Sequence, residues 1–520
     1  MSSKMGTTNA QTNSEHENKE TFNHVDSIEA FYAEKVILLT GATGFLGKAL
    51  LEKLLRSCAR VAMIFILLRP KRGKTMEQRL NQMKENSVFD RLRMENPGAI
   101  NKIHPVKGDV GLPNLGLSAE DRNMLINRVN VVFHSAATVR FDDPLKVAVN
   151  TNAKGTDRVI DLCKDMTNLI SLIYVSTAYS NANRYDIEES IYPTKLKPST
   201  VIDMCDSLDD KTLNLLQKQI IEGHPNTYTF TKNLAEQIVW TRGADLPVSI
   251  VRPSIVCVTH KEPFPGWLDG PSGLTGLIGG IIRGTARVIK CDTKRTIDMV
   301  PVDYVIDTII CASWFRATQQ NNSIKIYNCT NNADSISWGS LVQLISKYAV
   351  ESPSKHLKWY PGLIVGTNTF MYRFITITLH FFPAVIMDFV SRLAGSKPIN
   401  MKTAKNFDKV VSATQYFSTN EWKFHRNNMH ELTKKVKTLK DSSNFNTDMD
   451  NLDWNTFVYS YLSGIRKYIL NENLEAADTF RKRLIISLLV TSAHSDYRQK
   501  KDGFCLPFAP PLSESRVLGQ

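Results

Sequence analysis

Nothing narrows the fold of this chain more than "KVILLTGATGFLGKALLEKLLRS", Lys35 to Ser57. Val36-Ile37-Leu38-Leu39 is apolar at every position, without the alternation of a half-exposed strand. Such a run fits a parallel strand covered on both faces. Gly41, Gly44 and Gly47 follow at intervals of three, and a helical pattern runs from Phe45 to Arg56. Strand, glycine turn and helix N-terminus together make a phosphate-binding site. Glycine permits a tight turn and close approach of the backbone to a ligand. The free N–H groups and the dipole at the helix start favour negative charge. The competing reading is a tight loop that only packs helix on strand. On the ligand reading, Thr40, Gly41, Thr43, Gly44, Phe45, Leu46 and Gly47 border the phosphates.

The spacing resembles the TGxxGxxG of extended short-chain dehydrogenases/reductases, which implies an α/β Rossmann-type, doubly wound parallel sheet. The next apolar run, Ala62 to Leu68, ends at Arg69, with Lys71 and Arg72 close behind. In such a sheet this strand end meets the adenosine ribose. An acidic residue there selects NAD, whereas an arginine accommodates the 2′-phosphate of NADP. Arg69, helped by Lys71 or Arg72, therefore points to NADPH; a solvated basic loop is the plainer alternative. "KGDV" ends another strand, so Asp109 is expected to meet the adenine amino group and Val110 to flank the ring. After the strand Val131-Val132-Phe133, Ser135, Ala136 and Ala137 are small enough for a dinucleotide to lie against the backbone. His134 reads as a packed strand-end histidine rather than a base, and Asn150 and Asn152 read as caps that start the next helix.

"LISLIYVSTAYSN", Leu169 to Asn181, is an apolar strand that ends in hydroxyls. "YTFTKNLAE" then places Tyr228 and Lys232 four residues apart, on one face of a helix. A phenol with a pKa near 10 is a poor acid–base group at neutral pH. A fixed ammonium beside it is expected to lower that value. Lys232 is also expected to hold the nicotinamide ribose, and Thr177 or Ser176 to polarise a substrate carbonyl together with Tyr228. "VSIVRPSIV" follows as a sixth strand, with Pro253 beside the cofactor and Arg252 to Ser254 near the substrate entrance.

The chain has 520 residues, enough for two or three domains, and 42% of them are hydrophobic. A net charge of +13 suits anionic partners, from phosphorylated cofactors to lipid headgroups. No RNA- or DNA-binding motif accompanies it, so nucleic acid is not expected as a partner. The eight cysteines form no CxxC pair and no metal-ligand spacing, which fits a reducing compartment and predicts no metal site.

One branch of the reductases fits the remaining motifs. "FYAEKVILLTGATGFLGKALLEKLLRSC", "LLRPKRG", "EPFPGWLDGPSGLTGLIGGIIRGTARVIKCD" and "DMVPVDYVID" resemble animal fatty acyl-CoA reductases. "WKFHRNNM" and "DWNTFVYSYLSGIRKYIL" are similar to the second domain of that family, formerly called the male-sterility domain. The resemblance implies reduction of a long-chain or very-long-chain acyl-CoA by two NADPH to a primary alcohol, in lipid, wax or ether-lipid metabolism. The first hydride yields a hemithioacetal that releases CoA; the second reduces the aldehyde, with Tyr228 as proton donor. It also implies a membrane or lipid-droplet surface as partner, on the cytosolic face of the endoplasmic reticulum or a droplet, with the peroxisomal membrane as alternative. A homo-oligomer is compatible with it.

The expected organisation is a disordered tail over 1–27 and an NADPH-binding domain over 28–325. A mostly helical C-terminal domain over 326–500 and a loose tail over 501–520 complete it. Residues 185–227 read as an insertion with helix near Asp209 to Glu222, either a substrate cap or a basic docking surface. Pro265-Gly266-Trp267 shapes a loop near the acyl tunnel, or else Trp267 anchors the core. Residues 361–393 are the most hydrophobic region. A membrane-embedded hairpin or interfacial helix is expected there, and a buried cap or tunnel wall is the alternative. Leu484 to Val490 is a shorter apolar stretch, and many family members end in a transmembrane helix. Two further readings use the same motifs: a nucleotide-sugar or hydroxysteroid enzyme, and a catalytically silent NADPH-binding membrane scaffold. The first leaves the C-terminal half unexplained; intact Tyr228, Lys232 and Thr177 weigh against the second.

Overall fold

In the computed structural model the strand before the glycines is β1, Val36–Thr40, and every residue of it is buried. The structure describes residues 26–473, apart from 71–72, 222, 320–322, 332–334, 358, 367–368 and 451. The expectations for Lys71, Arg72, both tails and Leu484 to Val490 lie outside the described residues.

Six more strands join β1: β2 Met63–Leu68, β3 Ile103–Lys107, β4 Val131–His134, β5 Ser171–Val175, β6 Val248–Pro253 and β7 Lys325–Cys329. All pairings are parallel, in the order β7-β6-β5-β4-β1-β2-β3. This is a doubly wound sheet whose order reverses between β1 and β4, where such sheets bind ligands at their C-terminal edge. β7 begins where the N-terminal domain was expected to end, because a seventh parallel partner continues the buried ladder of β6. The sheet therefore carries the first domain on to Cys329.

Neighbouring residues of one strand enter different cores. Ile37, Leu39, Ile64, Ile66, Val131 and Phe133 pack on one side. Val36, Leu38, Phe65, Leu67 and Val132 pack on the other. Alternate side chains point to opposite faces, and helices cover both, so uninterrupted apolar runs are what this sheet requires.

The first layer holds α1, Phe45–Ser57. The second holds α2, Lys154–Asp165, and α3, Thr227–Arg242, which pack on each other. Next in the chain come α4, Gly273–Ile282, and α5, Val302–Thr318, the latter packed against α1, β5 and β6. α2 does not start at Asn150 or Asn152 as expected. It continues backward through a π turn, Val149–Ala153, into Leu145–Ala148. Asn152 is drawn inside instead, where its amide bonds Thr138 and Thr231, so tertiary partners override capping propensity.

The insertion forms two helices, Pro198–Ser207 and Asp210–Ile220, the second capped by the Asp209 carboxylate. Trp267 is fully buried beside Phe45, with ring centroids 5.2 Å apart, so it is a core anchor.

The C-terminal half is mostly helical. α6 runs without a break from Thr369 to Leu393, with a π turn at Ile377–Phe381. It is one helix rather than a hairpin within 361–393. It is long and apolar enough to cross a membrane, and only 17% of its most apolar window is buried, which argues against a buried cap. α7, Asn400–Thr419, returns along it. α8, Asn427–Val436, packs on β7 and α5, and α9, Trp454–Gly464, closes on α4. Met429, Leu432, Val436, Phe445 and Met449 belong to the same core as β1 and α1.

Candidate active site

Thr40, His134 and Tyr174 lie in register across β1, β4 and β5. The glycine turn, the small-residue loop and the Ser-Thr strand end therefore emerge along one edge. Gly41 has φ +79°, and a Cβ on it would lie 2.8 Å from the Ala136 nitrogen. A Cβ on Gly47 would lie 2.3 Å from the Gly41 oxygen. Only glycine permits both the turn and the seating of α1 under it. Gly44 is the N-cap of α1 and no side chain caps it, which leaves the first-turn N–H groups to a ligand. Thr43, Phe45 and Leu46 stay partly accessible beside it.

Thr40 is fully buried and ties the loops together instead of facing outward. Its hydroxyl meets His134 Nδ1 at 2.7 Å and accepts the Ala136 N–H. His134 Nε2 meets the Thr156 hydroxyl at 3.1 Å. Burial pushes this imidazole down to about 3, so it stays neutral and structural. Ser135, Ala136 and Ala137 are partly accessible beside the glycine turn.

Arg69 directly follows β2 with an exposed side chain, and its Nε lies 3.9 Å from Asp109 Oδ2. The two expected adenosine contacts are thus neighbours. Asp109 also accepts the Gly111 N–H at 2.9 Å, which fixes the turn. Val110 does not flank an open ring site. It is buried, 3.2 Å from where a Cβ on Gly155 of α2 would stand, because the turn at Gly111 directs it into the core.

The Asn226 side chain caps α3 by accepting the Thr229 N–H, as its position before the helical run dictates. Tyr228, Lys232 and Glu236 follow at four-residue steps on one face. The Thr177 hydroxyl lies near enough to Tyr228 to lower its pKa, donates to the Pro253 carbonyl at 3.4 Å and accepts the Tyr179 N–H at 3.3 Å. Pro253 is buried, so its carbonyl is what it offers the site. Ser176 points elsewhere: its hydroxyl donates to Glu236 at 2.5 Å. Successive residues of an extended strand diverge, so only one of the two hydroxyls reaches the tyrosine.

The expected electrostatics of the pair are reversed. Lys232 Nζ donates to the Val175 carbonyl at 2.7 Å and sits 4.5 Å from the centre of the Tyr174 ring. Burial pulls it down from 10.5 to about 7, with Glu236 opposing. Burial pushes Tyr228 up to about 12, with Thr177 opposing, although part of the ring stays accessible. The phenol is a held proton donor here, not a preformed phenolate.

Two features escaped the sequence reading. Arg252 is no entrance residue: it is fully buried and grips Glu236 through Nε and Nη2, at 2.8 and 2.6 Å. Glu236, one turn beyond Lys232 on the same face, was the available signal. The second feature is an aromatic wall from the C-terminal half. Phe141 stacks on Tyr228 with centroids 5.9 Å apart, and Phe417 of α7 lies 5.5 Å from Phe141. Phe417 and Trp422 also meet Tyr179 edge-on, each at 5.2 Å. Nothing local in the sequence joins residues so far apart. Among the described residues no cluster of His, Cys, Asp or Glu is placed to hold a metal.

The glycine cradle, the uncapped helix start and the Arg69–Asp109 pair fit a dinucleotide. Comparison with known proteins agrees. A family model described as male sterility protein, of NAD-binding type, matches residues 39–309, and a second of the same description matches 379–472. The cofactor is thus of the nicotinamide class. The chain is similar to the terminal R domain from the myxalamid PKS-NRPS biosynthetic pathway, with TM-score 0.57, 21% identity, and 84% of this chain and 92% of that one covered. It also resembles the reductase domain of a nonribosomal peptide synthetase from Mycobacterium tuberculosis, with TM-score 0.55, 18% identity, and coverages of 86% and 96%. At these identities the likeness establishes the fold. Fatty acyl-CoA reductase 1 of Rattus norvegicus and that of Homo sapiens are each 38% identical over 459 residues, covering 88% of this chain and 89% of theirs. The chain belongs to the fatty acyl-CoA reductases of the male sterility protein family.

Proposed function

We propose that the chain is an NADPH-dependent, alcohol-forming fatty acyl-CoA reductase acting on long or very long chains. The observation that carries this reading is Tyr228 with Thr177 at the sheet's C-terminal edge, beside the glycine cradle, in a chain 38% identical to fatty acyl-CoA reductase 1. NADPH would be held by the Gly41–Gly47 turn, Arg69, Asp109 and Lys232, and it supplies a hydride in each of two successive reductions.

The chain's own residues supply the rest. Thr177 and Tyr228 donate hydrogen bonds to the thioester oxygen and stabilise the oxyanion that forms; one such donor is typically worth about 10²–10³ in rate. Collapse of the hemithioacetal expels CoA thiolate, whose low basicity demands little acid help. In the second reduction Tyr228, protonated at neutral pH, gives its proton to the aldehyde-derived alkoxide. The balance is one acyl-CoA, two NADPH and two protons to one alcohol, one CoA and two NADP. Lys232 orients the nicotinamide ribose, while Ser176, Glu236 and Arg252 fix α3 against β5 and β6.

α6 supports a membrane location. Phe374, Phe382 and Phe389 are all exposed along it. A cytosolic-face endoplasmic reticulum or lipid-droplet surface suits an insoluble alcohol product; the peroxisomal membrane is the alternative address.

The test is product analysis of the wild type and Tyr228→Phe with NADPH and a series of acyl-CoAs. Two NADPH consumed per alcohol, with turnover lowered about 10²-fold or more in the variant, is expected. NADPH binding without any alcohol would establish the silent scaffold instead.

A further inference from the structure

A cavity of about 310 Å³ lies between α4, α6 and α7, away from the glycine cradle. Much of its wall is apolar, from Leu277, Leu379, Met387, Phe407 and Ile469, with Arg283, Arg287, Asn400 and Asn406 as polar lining residues. Several of its polar groups are engaged: Thr275 with the Tyr461 hydroxyl, Thr285 with the Gly280 carbonyl, and Arg283 Nε with the Gly279 carbonyl. His380 Nε2 accepts the Arg287 N–H at 2.9 Å, and burial pushes this histidine down to about 4, so it is neutral. The Arg287 guanidinium lies 5.1 Å from the Trp359 ring centre. Gly276, Gly279 and Gly280 of α4 line its floor. A Cβ on Gly276 would lie 2.7 Å from the Pro271 carbonyl oxygen and one on Gly279 3.6 Å from Ile465, so α4 packs closely on its neighbours there. A cavity walled largely by apolar side chains suits a hydrocarbon.

α7 connects this cavity to the chemistry. Ala404, Phe407 and Val410 line the cavity, while Phe417 lies against Phe141, which stacks on Tyr228. Ten residues of helix separate Phe407 from Phe417, about 15 Å at 1.5 Å per residue. α6 has two faces. Pro383, Ala384 and Met387 line the cavity, and Phe382, Val385 and Phe389 are exposed on the outside. The hydrocarbon environment that the outer face suits is therefore separated from the cavity by one helix.

We infer that this cavity binds the methyl-terminal part of the acyl chain, with α7 as the rail along which the chain runs from Tyr228, and that its depth sets chain-length preference. The inference rests on the acyl-CoA reductase reading and assigns that substrate's distal subsite. Ala404 and Phe407 are its gauge: a bulky residue at 404 shortens the site, and a small one at 407 lengthens it.

Two measurements on the full-length protein test this. In the first, kcat/KM is measured with lauroyl-CoA and arachidoyl-CoA for wild type, Ala404→Trp and Phe407→Ala. The long-to-short ratio should fall about ten-fold or more in Ala404→Trp, since each misfit methylene is worth about ten-fold or more in an apolar pocket. It should rise in Phe407→Ala. Equal loss at both lengths in both variants would overturn the inference. The second uses an acyl-CoA with a photoreactive diazirine at its methyl end, applied to the wild type, so that misfolding of a variant is no obstacle. Labels on peptides of α4 and α7 are expected; labels confined to other surfaces overturn it. If no acyl-CoA is reduced yet the label still falls in α4 and α7, the reaction reading fails and the acyl site stands.

Discussion

At the scale of single residues, function here depends on groups whose burial shifts their protonation. Lys232 shows this most directly, being held at about 7 against an ordinary 10.5. Between those values the unfolded chain keeps a proton that the folded chain releases. Stability therefore rises as pH increases through that window, and the penalty is constant below it. Lys232→Met should remove this rise. Urea midpoints at neutral and alkaline pH check it, and parallel curves for the two proteins would refute it. Arg69 acts by charge at the rim of the cofactor site, 3.9 Å from Asp109. Arg69→Ala should weaken NADPH binding far more than NADH binding, as read by fluorescence titration; equal loss for both would mean that another group reads the 2′-phosphate.

At the scale of elements, α3 and α6 illustrate opposite uses of a helix. α3 is buried along most of its length, and Glu236 at its centre neutralises Arg252 across the sheet. α6 instead exposes apolar residues, among them Phe374, Phe382, Val385 and Phe389. Apolar surface gains about 25 cal/mol per Å² on leaving water, so these exposed side chains favour an apolar phase. On the membrane reading proposed above, Phe374→Asp with Phe382→Asp should shift the protein from the carbonate-resistant membrane fraction toward the soluble one, with cofactor binding retained. Unchanged partition would locate the anchor elsewhere in the chain.

At the scale of the whole molecule, the two halves share one core. The Asp441 carboxylate accepts the backbone N–H groups of Ile28 and Glu29, the first turn of the helix that precedes β1. Burial pushes the Glu189 carboxyl up to about 7, yet it still accepts the N–H groups of Asn328, Asn428 and Met429, bridging the insertion, β7 and α8. A fragment covering 26–330 should therefore be insoluble or readily proteolysed, because it exposes the surface that Met429, Leu432 and Phe445 cover. A soluble, protease-resistant fragment that still binds NADPH would show the halves to be independent.

Much of this was legible in the chain itself. β1, β2, β4 and β5 stand where apolar runs stand, because strands covered on both faces favour apolar side chains, whereas β3 and β7 carry His104, Lys107, Lys325 and Asn328 and show no such run. The glycine spacing and the Tyr228–Lys232 step are also local, since a turn and a single helical face are properties of adjacent residues. Long-range partners were not legible. Which of Ser176 and Thr177 meets the phenol depends on where α3 docks. Arg252 reads as an entrance residue until Glu236 is seen opposite it, and Val110 reads as a ligand contact until Gly155 is seen beneath it. The protonation of Lys232 and Tyr228 follows from desolvation, a property of the packed surroundings rather than of their four-residue spacing. The aromatic wall and the acyl cavity join segments hundreds of residues apart. The sequence determined the nucleotide-binding frame, because that frame is written in local periodicity. Tertiary packing alone decided the substrate side, because burial and side-chain contact exist only once distant elements meet.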